Sequence, residues 1–338
     1  MSTQNKIVCS LVVLGLLHAA GVFAGFLAPH DPEVQNRAFP LAPPARLHVV
    51  DSHGRLHIRP FVYALRDAGF GATYTEDTTR PYPIRFFALE RSSGRRHLFG
   101  VDAPGTLFLF GTDELGRDQL SRLLFGARIS LFSGLLATVL ALGGGLVLGT
   151  IAGYCGGWPD DVVMRFSELI LALPWLYCLL ALRAFLPLHI SPGETFLLVV
   201  LVIGTRGWAR PARLIRGVVL SARERDHVLA ARGFGASAPY LLRRHVLPQT
   251  AGVLLTQAAL LVPQYVLAEV TLSFLGLGVS EPVPTWGNML AGLQHYHVLA
   301  SAWWMCLPAL ALIPLFLAYN SLAEALAERT RGLTDLRG

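Results

Sequence analysis

Six runs of apolar residues, each about as long as a bilayer is thick, constrain this chain more than any other feature. Crossing roughly 30 Å of hydrocarbon takes about 20 helical residues, with every backbone group paired inside the helix. The runs lie at residues 7–28, 131–154, 162–186, 194–209, 250–275 and 302–322. Of 338 residues, 53% are hydrophobic and only 15% charged, against about a quarter charged in a soluble domain. The expected fold is an all-α polytopic membrane protein with six transmembrane helices. The first run exceeds the roughly 7–15 apolar residues of a secretory signal core. Despite Ala19, Ala20 and Gly21, a faint cleavage site, residues 1–28 read as an uncleaved first span.

Between the first two runs the composition turns polar. Residues 47–59 read as strand, turn and strand around 51–54, and 84–90 and 97–110 offer further strands broken by SSGR and DAPG. Residues 29–110 are expected to form a small β-rich extracytoplasmic insert with a solvated surface. Residues 111–130 alternate polar and apolar side chains at helical spacing, with Asp113 or Thr112 as a cap. An amphipathic interfacial helix is expected there. Residues 131–323 then form a five-helix core that includes a polar loop at 221–249, and 324–338 form a tail. Six glycines between 131 and 154 should let the second span pack closely inside a bundle.

Loop charge gives the orientation. Residues 206–249 carry nine arginines, whereas 187–193 and 276–301 carry no lysine or arginine. Cytoplasmic loops collect these residues, so the arginine-rich loop and both termini are expected in the cytoplasm and the insert outside. The same bias accounts for the net charge of +6 without nucleic acid.

Nothing in the chain resembles a catalytic constellation. There is no GxxxxGK[ST] phosphate loop. Cys9, Cys155, Cys178 and Cys306 are far apart and read as small buried hydrophobes. His295 and His297 have no metal-ligand spacing. Glu168, Arg183 and Glu269 fall within apolar runs, where charge is costly and usually faces a bundle interior. Glu269 is the deepest. With Ser273 and Phe274 on the same run, it is a candidate for a translocation path or gate, or else for a structural hydrogen bond to a neighbouring helix.

Residues 227–249, HVLAARGFGASAPYLLRRHVLPQ, form a polar island between apolar runs. They read as a short helix, a glycine break, a second helix and a Leu-Pro stop. Ala230, Ala231, Gly235, Leu247 and Pro248 fall on the spacing Glu-Ala-Ala, three residues, Gly, nine residues, Ile-x-Leu-Pro. Leu229 stands where that pattern has Glu, and His245 where it has Ile. The island resembles the coupling loop of ATP-binding-cassette importer permeases, and Arg244–His245–x–Leu247–Pro248 resembles its peptide-importer version. GTDELGRDQLSRLLFGARISL, AGYCGGWPDDVVMR, LAEVTLSFLGLGVSEPVPTWGNML and Trp303-Trp304 before Pro308 extend the resemblance to the dipeptide/oligopeptide permease family, C-type subunit.

The resemblance implies an importer permease fold in a bacterial cytoplasmic membrane. It implies a homologous second permease, two ATPase subunits and an extracytoplasmic substrate-binding protein as partners. ATP and magnesium would be bound by the ATPases and no cofactor by this chain. Ala230, Ala231, Gly235, Ala236, Arg244, His245, Leu247 and Pro248 would meet an ATPase subunit. The competing reading, a stand-alone ion-coupled transporter using Glu269 as a proton site, has no inverted repeat to support it.

Overall fold

The structure, a computed structural model, describes residues 2–67, 69, 74–89, 96–174, 177–178, 180–181 and 191–335. Arg183 lies outside these residues. Helices dominate: α1 (Thr3–Val22), α2 (Ala24–Leu27), α3 (Gln119–Cys155), α4 (Gly157–Ala172), α5 (Pro192–Gly207) and α6 (Ala209–Arg223). They are followed by α7 (Asp226–Gly233), α8 (Ala238–Leu241), α9 (Ala251–Phe274), α10 (Trp286–Ala291), α11 (Tyr296–Ser301) and α12 (Leu307–Asp335). Strands β1 (His48–Val50), β2 (Leu56–Asp67) and β3 (Tyr74–Pro83) form one antiparallel sheet. A second, two-stranded sheet consists of β4 (Arg85–Leu89) and β5 (Arg96–Gly100).

Among the described residues, four helical stretches are long and apolar enough to cross a membrane: Thr3–Val22, Gln119–Cys155, Ala238–Phe274 and Trp303–Arg329. The run at 194–209 falls short, with 16 residues in α5; of the run at 162–186, α4 covers the part up to Ala172, and residues 175–176, 179 and 182–186 lie outside the described residues. At the end of α4, Leu173 turns extended, with ψ 127°, because the residue before a proline is pushed out of the helical region. α5 ends at Trp208, which leads directly into α6.

The interfacial helix expected over 111–130 is replaced by a different arrangement. Residues 111–118 form a tight loop closed by a bridge between Thr112 and Asp118, and one helix of 37 residues then runs from Gln119 to Cys155. The cap is Asp118, whose carboxylate accepts from the Ser121 backbone N–H at 2.8 Å. Asp113 instead holds the loop, accepting from the N–H groups of Leu115 and Arg117 at 2.9 Å each. No proline interrupts the sequence from 119 to 155, so nothing stops the helix at 130. The last helix likewise continues through the expected tail to Asp335.

The described chain divides into two compact units. The first comprises Met1–Leu14, Phe132–Glu269 and Pro314–Gly338. Within it, α6 lies against α3 along a face of small residues. Ala209, Ala212, Ile215, Val219 and Ala222 are buried at helical spacing on α6. Opposite them, a Cβ added to Gly149 would lie 2.5 Å from the Ala212 carbonyl oxygen, and one added to Gly153 would lie 2.8 Å from Val219. Only glycine admits this approach. Arg216 of α6 also pairs with Asp160 of α4, Nε to Oδ1 at 2.5 Å. Of the cysteines, Cys9 and Cys155 are exposed rather than buried; Cys9 sits on a helix whose outer face is apolar, with Val8, Leu11 and Val12 also exposed.

The second unit comprises Gly15–Leu131 and Val270–Ile313 and carries both sheets. Its sheet core gathers Val62, Tyr82, Ile84 and Leu107. The β1–β2 turn falls at 51–54, where Asp51 accepts from the N–H groups of His53 and Arg55 at 2.9 Å. The Arg55 N–H and the His57 imidazole hold the Asp51 carboxyl down at about 2. β5 ends at Gly100, just before DAPG. β2 begins with the expected second strand of 47–59 but runs on to Asp67, and its partner β3 has no counterpart in the sequence expectation.

Glycine at 149 and at 143 give a paired test of the helix contact. Nothing lies within 4 Å of a Cβ at Gly143. Gly149→Leu should lower thermal stability in detergent by about 1–3 kcal/mol through overpacking, with Gly143→Leu close to neutral.

Candidate coupling segment and a charge-locked cavity

The segment from Asp226 to Gln249 is built from local rules. α7 ends in a Schellman motif: Ala236 N–H donates to the Ala231 carbonyl at 3.1 Å and Gly235 N–H to that of Arg232 at 3.0 Å. The motif requires a left-handed residue between them, and Gly235 has φ +85°. The spacing from Ala231 to Gly235 is therefore the spacing of a helix cap. No atom lies within 4 Å of a Cβ at Gly235, so the demand for glycine is conformational.

The Leu-Pro pair does not stop the second helix as expected. α8 passes into a π-helical turn, Leu242–Val246, then a 3-10 turn, Leu247–Thr250, and on into α9. A proline inside a helix lacks its N–H and clashes with the carbonyl four residues back. The π turn supplies the extra residue that relieves this. The carbonyls of His245 and Leu247 accept instead from the Gln249 side chain at 2.9 Å and the Thr250 hydroxyl at 2.8 Å.

The segment is rooted by Val228, Leu241 and Val246, all buried; Val246 joins Ile215, Val219 and Ala222 of α6 in one core cluster. Ala230, Gly235, Arg244 and Pro248 are exposed, and Ala231, Ala236, His245 and Leu247 are half-buried. The His245 ring lies 5.7 Å from that of His227 and 5.8 Å from that of Tyr240. Leu229, Phe234 and Tyr240 face outward, Phe234 with 93% of its surface exposed.

Two of the nine arginines serve as helix caps, which spacing did not reveal. Arg206 donates to the Leu173 carbonyl at 2.7 Å, past the end of α4, and Arg223 to those of Gly153 and Tyr154 at 2.9 and 3.2 Å, at the end of α3. A cation suits a helix C-terminus. Asp160, in the first turn of α4 right after GGWP, was a legible signal for a partner to Arg216.

In the second unit the two tracts 111–131 and 270–290 meet through charge. Arg117 donates to Asp113 at 2.7 Å and to Glu281; Arg122 donates to Glu281 at 3.0 Å and stands 3.5 Å from Asp113. The Arg122 side chain is 1% exposed, that of Asp113 6% and that of Glu281 46%. Burial works against the Arg117 charge, but the two carboxylates outweigh it and hold that guanidinium above its ordinary range. Trp286 locks the same junction, its indole N–H donating to Leu123 O at 3.0 Å and its backbone N–H to Ser130 Oγ at 3.1 Å. Beside the charges opens a cavity of about 580 Å³, lined by Arg117, Ser273, Glu281, Asn288 and His295 among others. Glu269 is buried, 1% exposed, and is not among the lining residues. Phe274 is half-buried and Glu168 exposed. His297 pairs with Glu114 at 3.3 Å, and among the described residues no three metal-ligating side chains converge.

Four helical stretches able to cross a bilayer make the chain a membrane protein by length and composition. The sequence pattern of binding-protein-dependent transport system inner membrane components matches residues 145–332, and the chain belongs to that family. It is 38% identical over 227 residues to the dipeptide transport system permease protein DppC of Bacillus subtilis (strain 168), covering 67% of this chain and 68% of the relative. It is 34% identical over 237 residues to the oligopeptide transport system permease protein OppC of the same organism, covering 69% and 74%. With the di/tripeptide transport system permease protein DppC of Pseudomonas aeruginosa (strain UCBPP-PA14) it shares 39% over 222 residues, covering 65% and 71%. These relatives give no support to the ion-coupled alternative.

Removing Asp113 leaves two buried guanidinium groups with one half-exposed carboxylate. Asp113→Ala should cost about 3–5 kcal/mol, the range for breaking a buried pair, and Glu281→Gln clearly less because solvent screens its side. Chemical unfolding in detergent compares the two.

Proposed function

We propose that this chain is one of the two membrane subunits of an ATP-driven peptide importer, and that residues 226–249 couple it to an ATPase subunit. The observation that carries this reading is the division within that segment. Val228, Leu241 and Val246 are buried in the first unit while Leu229, Phe234 and Tyr240 are turned outward. An apolar patch on a polar, capped helix is the mark of a protein interaction surface. Ala230, Ala231, Gly235, Ala236, Arg244, His245, Leu247 and Pro248 belong to this surface or to the turns that shape it. At Leu229, where the resemblance expects Glu, contact with the ATPase is apolar in place of a carboxylate pairing.

In this reading α4 with the run that follows it in sequence, and α5, supply the third and fourth of six membrane crossings. The arginine bias places 206–249 and both termini in the cytoplasm and the strand-bearing segment 29–110 outside. ATP and magnesium are bound by two ATPase subunits, and their closure moves the coupling segment. A homologous second permease completes the pore, and an extracytoplasmic binding protein delivers the solute. The names of the relatives support a peptide as that solute. Glu269, with Ser273 one helical turn on and Phe274 beside it, is assigned to the translocation path.

Three substitutions test the coupling role. Valine at 235 must adopt a left-handed backbone that costs an L-residue roughly 1–2 kcal/mol, so Gly235→Val should separate ATP hydrolysis from uptake in reconstituted vesicles. Gly235→Asn, which tolerates that conformation, should keep most of the coupling. Phe234→Asp should lose the ATPase subunits on purification in mild detergent. Full coupling in Gly235→Val and full ATPase recovery with Phe234→Asp would reject the assignment.

A further inference from the structure

Two adjacent phenylalanines on β4, Phe86 and Phe87, are 65% and 66% exposed. In a regular strand neighbouring side chains point to opposite faces, yet Arg85, Phe86 and Phe87 are all exposed. Phe87 has φ +54°, a left-handed backbone that a bulky residue rarely adopts and that marks functional strain. An exposed aromatic pair held in a strained backbone needs a partner other than water.

The surroundings identify that partner. The Phe87 ring lies 6.2 Å from that of Phe26 on α2, and α2 begins one residue after α1, a helix long and apolar enough to cross a membrane. Phe23 and Val22, at the same end, are 60% and 46% exposed. The two-stranded sheet is fixed to this point. Buried His97 of β5 bonds the Ala28 carbonyl at 2.5 Å, and β5 pairs with β4 through Phe99 opposite Phe86 and His97 opposite Ala88. Arg128 of α3 donates to the Val22 carbonyl at 3.0 Å and lies over the Phe125 ring. Arg85 and Arg96, at the starts of β4 and β5, and Arg128, which bonds the end of α1, are exposed; Arg85 also pairs with Asp102 at 2.5 Å.

We propose that this corner is a lipid anchor, with Phe86 and Phe87 seated at the boundary of headgroups and acyl chains of the bilayer that α1 crosses. An apolar aromatic surface rimmed by arginine is the chemistry of the membrane interface, and the patch continues a surface that already meets lipid. The β-bearing segment is then tied to the bilayer at one edge, with its three-stranded sheet in water.

Site-directed spin labelling of the protein reconstituted with its copurifying subunits in phosphatidylcholine–phosphatidylglycerol vesicles tests this. The background carries Cys9→Ala, Cys155→Ala, Cys178→Ala and Cys306→Ala. A nitroxide at Phe86→Cys should collide severalfold more often with oxygen, which concentrates in lipid, than with a water-soluble nickel chelate. A nitroxide at Ile58→Cys, on a fully exposed side chain of β2, should show the reverse preference. Collision at Phe86→Cys matching that at Ile58→Cys would overturn the proposal in favour of a solvated surface. Low collision with both agents would overturn it in favour of a protein partner. Should the labelled variant fail to insert, Phe86→Trp gives a second reading as the difference from the parent. Its added emission should be quenched by lipids brominated high on the acyl chain, and absence of quenching would also overturn the anchor.

Discussion

The contact on which the first unit depends is the approach of α6 to the glycine face of α3. Gly145, Gly149 and Gly153 bring the α6 backbone so near that a methyl group has no room. That approach has two effects. It gives α3 a partner at backbone-to-backbone distance, with van der Waals contact along the whole glycine face. It also sets the position of α6, whose Ile215, Val219 and Ala222 receive Val246 of the polar segment. Arg216 and Arg223 add polar fastenings at the same helix, to Asp160 and to the end of α3. The polar segment is thus seated on a helix whose own position is set by glycines remote from it in sequence.

The second unit uses charge where the first uses small residues. A buried arginine is costly unless its hydrogen bonds are met, and Arg122 meets that cost with Glu281, Asp113 and the Pro32 carbonyl. Asp113 and Glu281 each touch both guanidinium groups, so the four residues form a closed ring. The ring fixes the loop after α9 to the start of α3, and Trp286 and its hydrogen bonds make the junction stiff.

What could be read from sequence follows the range of the interactions. Long apolar helices and the Ala231-to-Gly235 cap are local, set by composition and by backbone bonds spanning a few residues. The two families of error are also physical. Pro60 interrupts β2 just past the expected strand end at 59, and β3 includes Pro81, Pro83 and a polar run, TEDTTR, so no apolar alternation announces β3. The start of α3 was misplaced because Asp113 and Asp118 are equally plausible caps, and only the pairing of Asp113 with Arg117 and Arg122 decides between them. Of the candidate site, the polar segment at 227–249 was legible as a unit. The charge ring was not, because Glu281 is 164 residues from Arg117 and no spacing rule reaches that far.

The π turn before Pro248 has a mechanical consequence. Because the chain remains helical from Ala238 through the proline into α9, no slack joint separates the polar segment from the long apolar helix. A twist applied at Tyr240 is delivered as rotation about the axis of α9. The one inserted residue sets the phase, turning every side chain beyond it by about 100° relative to an uninterrupted α-helix. Deleting a single residue from Leu242–Val246 would leave the hydrophobic composition intact, yet present a different face of α9 to its neighbours.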